Sequence, residues 1–108
     1  MILCLRTVGV PDGERARFLK WILDNREVRE RHGILLELVL EPPAGEGETV
    51  VITGWPSHEV FDAWIKTSER DGLTASQVHQ AVDYHPITRY EVVGGYINHE
   101  LLRKEPQL

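Results

Sequence analysis

The spacing of apolar positions changes several times along the chain, and each change marks an element. Residues 2–10, ILCLRTVGV, are apolar and β-branched and read as a strand. Pro11-Asp12-Gly13 is a turn signal. From Glu14 to about Arg31 the pattern becomes helical, with Phe18, Leu19, Ile22 and Leu23 on one face and charges opposite. Gly33 is placed to stop that helix. Ile34 to Leu40 predicts a second strand, with Ile34, Leu36, Leu38 and Leu40 on one face and Leu35, Glu37 and Val39 on the other. Glu41 to Glu48 is a polar loop rich in Pro and Gly, and Thr49 to Trp55 predicts a third strand.

Pro56-Ser57 opens a second helix, with Ser57 as N-cap and Glu59 near its positive end. Val60, Phe61, Trp64 and Ile65 fall on one stripe. Gly72 interrupts, and Thr74-Ala75-Ser76-Gln77 has the form of a capping box. A further helical piece is therefore expected from Thr74 to about Tyr84, ended by Pro86. Ile87 to Tyr96 predicts the last strand. The order βαββαβ predicts an α+β, ferredoxin-like domain over residues 1–96: a four-stranded antiparallel sheet with helices on one face. The other face would be apolar and bare. A second copy related by a two-fold axis is the simplest cover, so a homodimer is expected. Residues 97–108 are a tail, either loose or a short strand reaching the partner subunit.

Composition narrows the function classes. The 108 residues are 42% hydrophobic and 27% charged, ordinary for one globular domain. A net charge of −5 argues against nucleic acid or an anionic membrane as partner. The single cysteine, Cys4, allows neither an internal disulfide nor a cysteine-based zinc site, and its apolar run marks it as a small buried hydrophobe. There is no basic leader and no apolar run of membrane-spanning length, so a cytoplasmic protein is expected. Metal-protease, dinucleotide, phosphate-loop and nucleophile-elbow motifs are all missing.

The segment VVITGWPSHEVFDAWIKTSERDG followed by ITRYEVVGGY resembles the antibiotic biosynthesis monooxygenase family of dimeric α/β-barrel proteins. Trp55, Ser57, Glu59, Phe61, Trp64 and Glu91-Val92-Val93 stand at the family's recurring places, and the resemblance spans roughly residues 1–96. It implies a dimeric barrel with a small-molecule pocket between sheet and helices. The family covers several chemistries, so fold alone does not choose among them. Its haem-degrading branch uses an Asn on the first strand, a Trp on the second helix and a His about ten residues later. Trp64 matches, but Arg6 stands in the first place and Thr74 in the third, which leaves haem binding as a minor alternative. The cofactor-independent oxygenase branch fits the remaining residues. It implies an aromatic phenol or quinol-type substrate, molecular oxygen, and no cofactor. A non-catalytic small-molecule binder of the same fold is the other alternative.

Each candidate residue has a plain and a functional reading. Trp64 is core packing or a pocket wall that stacks on a flat substrate, and both can hold. Arg6, the one charge in an apolar strand, is either paired with a carboxylate such as Glu37 or Glu91, or holds a phenolate or carboxylate of the substrate. His79, four residues before Asp83, is either a surface or core histidine or a base oriented by that carboxylate. Phe61, Tyr84 and His85 are expected to rim the same cavity. Trp55 reads as structural, and His58 as solvated.

Overall fold

The computed structural model describes residues 1–43, 47–76 and 80–96. His79 and the tail 97–108 lie outside the described residues, as does Gln77 of the capping box. Strand β1 is Ile2–Gly9, and a single 3₁₀ turn at Asp12–Glu14 leads into helix α1, Arg15–Asp24. Helix α2 is Arg26–Arg31, and strands β2 (Leu36–Leu40) and β3 (Thr49–Trp55) form a hairpin. Helices α3 (His58–Ile65) and α4 (Ser68–Thr74) follow, then two short strands, β4 (Asp83–Tyr84) and β5 (Thr88–Glu91).

The expected α+β architecture is present. The sheet is antiparallel in the order β2-β3-β1, with β4 and β5 both on the far edge of β1. β4 pairs with the end of β1 and β5 with its beginning, and the register slips by one residue between them. That slip is a bulge at His85-Pro86-Ile87, where Pro86 has no N–H to give and an edge position tolerates it.

Several elements differ from expectation, and the last strand ends at Glu91 rather than Tyr96. The helix expected from Glu14 to Arg31 breaks at Asn25, whose side-chain amide donates to the Trp21 carbonyl at 2.8 Å and competes with helix propagation. An unexpected helix, α4, begins at Ser68, because the Thr67 hydroxyl accepts from the Arg70 amide at 3.1 Å and caps it there; the piece expected from Thr74 lies partly outside the described residues, with Gln80 helical. Asp83 and Tyr84, expected at a helix end, are instead in strand β4, where pairing with Val8 and Gly9 wins over local helical preference. The Ser57 cap is as expected, its hydroxyl accepting from the Val60 amide at 3.2 Å. So is the stop at Gly33, at φ 102°: its amide bonds the Glu30 carbonyl and the Ile34 amide bonds the Arg29 carbonyl.

The helix-covered face of the sheet carries Ile2, Cys4, Arg6 and Val8 of β1, with Trp55, Thr53, Val51 and Thr49 opposite. Two buried clusters form on it. One joins Ile2, Cys4, Trp55, Phe61 and Trp64; the other joins Val8, Phe18, Ile22 and Val82. Arg6 lies on β1 between them. The other face holds Leu3, Leu5, Leu36, Leu38, Val50 and Ile52, with Leu40 and Tyr90 about half exposed at its margins.

Candidate functional site

Between the two clusters the sheet and helices enclose a cavity of about 130 Å³. One end is aromatic. Trp55 and Trp64 stack with ring centroids 6.2 Å apart, and the Phe61 ring meets Trp55 at 5.3 Å. The Trp55 indole N–H donates to the Thr53 hydroxyl at 2.9 Å, so it is satisfied without a ligand. Trp64 is only 6% exposed, and His32 packs against its ring at 5.1 Å from outside. Trp64 is thus both core and wall.

The other end is polar. Arg6 donates from Nε to the His85 carbonyl at 2.9 Å, and its guanidinium lies 5.0 Å over the Tyr84 ring. Burial lowers the Arg6 pKa, and burial also pushes the Tyr84 hydroxyl up to about 12, against the pull of Arg6 and Arg29. Tyr84 is therefore neutral near pH 7 and can donate a proton in a hydrogen bond. Arg29 enters from α2. It donates from Nη1 to the Ile22 carbonyl at 3.0 Å, at the last turn of α1, and the same nitrogen lies 3.5 Å from the Glu37 carboxylate. Its guanidinium also sits 5.6 Å over the Trp21 ring. Glu37 is partly buried, and its pKa is raised by that burial despite Arg29 and Arg26. Arg70 of α4 completes the polar lining.

Of the residues expected at the site, Arg6, Phe61, Trp64 and Tyr84 line one cavity. Two do not. Asp83 is exposed on the sheet edge beside Gly9, so the helical spacing that would set it under His79 does not hold at its end. The His85 ring is half exposed and pairs with Glu48 at 2.8 Å, and only its backbone carbonyl serves the site. Arg6 does not pair with either expected carboxylate, since Glu37 faces Arg29 and Glu91 faces His58. His58 is not simply solvated. It sits within 3.3 Å of Arg89, which donates to Asp62 at 2.7 Å.

The residues that sequence reasoning missed are Trp21, Arg29, Glu37 as a lining group, and Arg70. Arg29 carried a signal: it falls eleven residues after Phe18 and seven after Ile22, on the helical face those two define. Glu37 was the one charge in its strand.

Such a cavity can hold a flat ring against the indole wall and place its oxygen against guanidinium and phenol donors. Cys4 lines it too, but burial raises its thiol pKa and leaves it a poor nucleophile.

No curated protein matches the chain in sequence. Solved structures do match in fold. The haem-degrading protein MhuD of Mycobacterium tuberculosis, with two haems in its active site, has a TM-score of 0.72 at 23% identity, over 89% of this chain and 99% of that one. SnoaB, a cofactor-independent oxygenase of Streptomyces nogalater, has a TM-score of 0.69 at 13% identity, over 87% and 94%. Among the described residues the cavity lining offers no imidazole, and burial raises the pKa of both Cys4 and Tyr84; His79 lies outside those residues. The family model for antibiotic biosynthesis monooxygenases matches residues 1–82, and the chain belongs to that family.

Proposed function

We propose that this chain is a cofactor-independent monooxygenase that oxidises an aromatic phenol or quinol-type small molecule in the cavity between sheet and helices. The observation that carries this reading is the pairing of a stacked indole wall with a guanidinium and a neutral phenol at opposite ends of one cavity. A cavity of about this size suits a one-ring substrate. The substrate supplies the electrons. Its anion, held by Arg6 and Tyr84, gives one electron to oxygen, and the radical and superoxide combine to form a C–O bond. The peroxide anion takes up a proton. Loss of a second C–H proton breaks the O–O bond and releases water, leaving a carbonyl. One oxygen atom enters the product and the other enters water, so no outside reductant is required.

The bare sheet face supports a homodimer as the working form, since apolar side chains across three strands need a cover. Ile52→Glu at its centre should give monomers by sedimentation. We place the protein in the cytoplasm on composition; among the described residues no helix is long and apolar enough to cross a membrane. His79 is a candidate for the base, and His79→Ala tests that role.

Oxygen uptake by chelator-treated protein with dihydroquinones and anthrone-like phenols tests the activity. Uptake that survives chelation and falls in Trp64→Ala supports it. Quenching of tryptophan fluorescence by the same compounds, with no uptake, would make the protein a binder of small aromatics instead.

A further inference from the structure

We propose that Glu37 is the general base of this reaction and that Arg29 is the residue that positions it. The proposal rests on the monooxygenase reading above, which leaves the proton acceptor open. Glu37 lies on β2 opposite Thr53, on the helix-covered face of the sheet, and its carboxylate lines the cavity. Its side chain is 14% exposed. Among the described residues its ionic partner is loose: Arg29 Nη1 stands 3.5 Å from Oε1, while the same nitrogen is 3.0 Å from the Ile22 carbonyl. Among the described residues Oε2 accepts no hydrogen bond. A carboxylate that is partly buried, weakly paired and open to a cavity is placed to accept a proton.

The charged and titratable groups around it set how it titrates. Arg29 and Arg26 of α2 favour its ionised form, burial disfavours it, and burial is the larger influence. Cys4 and Arg6 of β1, Tyr84 of β4 and Arg70 of α4 line the same cavity. The result is a carboxyl whose pKa lies above the ordinary 4.5, nearer to working pH than an exposed carboxylate. In the step itself, the substrate O–H or C–H bond breaks and its electron pair stays on the substrate. The proton passes to Glu37, and the carboxylic acid so formed returns it to the peroxide anion. Arg29 touches no substrate in this scheme; it holds the carboxylate at the wall.

The test separates proton transfer from oxidation. Anthrone is incubated with protein in deuterated buffer without oxygen, and exchange at its acidic carbon is followed by NMR; oxygen uptake and fluorescence binding are measured alongside. Glu37→Gln should slow both exchange and uptake about 100-fold or more, with Kd changed by less than about threefold. Wild-type activity should rise with pH through the Glu37 pKa, because the base works ionised, and Glu37→Gln should lose that limb. If Glu37→Gln does not fold, Glu37→Asp serves. A slower rate with the limb retained supports the proposal, and an unchanged rate overturns it. Exchange and uptake within about threefold of wild type in folded Glu37→Gln would overturn the assignment while leaving the monooxygenase reading in place. Wild type that binds anthrone but neither exchanges nor oxidises it would remove both.

Discussion

The two clusters that close the cavity differ in kind. The cluster under α3 is aromatic: Trp55, Phe61 and Trp64 pack edge and face, and the Trp55 indole N–H is bonded to the Thr53 hydroxyl. The cluster under α1, Val8, Phe18, Ile22 and Val82, is smaller in side-chain bulk and borders on the Arg29–Glu37 pair. The first is held by shape, the second partly by charge. Substitutions should therefore fail differently on the two sides.

The largest effect should come from the aromatic side. Trp55 is 1% exposed, so Trp55→Ala leaves a cavity and should cost about 3–5 kcal/mol in chemical denaturation. On the other side, Arg29→Ala strands a partly buried carboxylate and an Ile22 carbonyl, and should cost about 3 kcal/mol. The double variant Arg29→Met with Glu37→Leu should recover most of that, because removing both charges also removes their desolvation cost. Failure of the double variant to recover would mean that the pair is held by packing rather than by charge, and the contrast between the clusters would collapse.

This contrast also explains what could be read in advance. Stripes and caps are local, so Phe61, Trp64, Ser57 and Gly33 were legible from spacing alone. Tyr84 and Arg6 were recognised as candidates, but not their contact, because it depends on β4 crossing to the edge of β1. Asp83 was misplaced for the same reason: strand pairing with Gly9 overrode helical spacing. Arg29 was missed because a charge on an apolar face reads as a register error until the break at Asn25 turns α2 and gives the guanidinium a carbonyl to bond.

A smaller effect should appear where the clusters meet. Arg6→Gln should weaken binding of a phenolate ligand about tenfold, the scale of one hydrogen bond to a charged group, with little change in fold stability. Its clearest mark is on Tyr84. The folded pKa of about 12 lies above the ordinary 10, so the neutral phenol contributes stability below pH 10 that is lost as pH rises through 12. Arg6 opposes that rise, so in Arg6→Gln the Tyr84 hydroxyl should titrate still higher in an ultraviolet difference titration, and Tyr84→Phe should remove the step.

The smallest effect concerns the caps of α3 and α4. Ser57 and Thr67 make the same hydrogen bond to the amide three residues on, at 3.2 and 3.1 Å. Yet α3 buries Phe61 and Trp64 while α4 buries nothing, though Arg70, Leu73 and Thr74 roof the cavity. Losing the first cap should therefore loosen the whole fold, and losing the second only the roof. Ser57→Ala should lower global stability by about 1 kcal/mol. Thr67→Ala should leave the denaturation midpoint nearly unchanged but speed hydrogen exchange at the amides of α4. If a substrate larger than one ring enters by displacement of α4, Thr67→Ala should also raise its association rate while leaving that of a one-ring phenol alone. An equal rise for both ligands would show that α4 gates entry without regard to size.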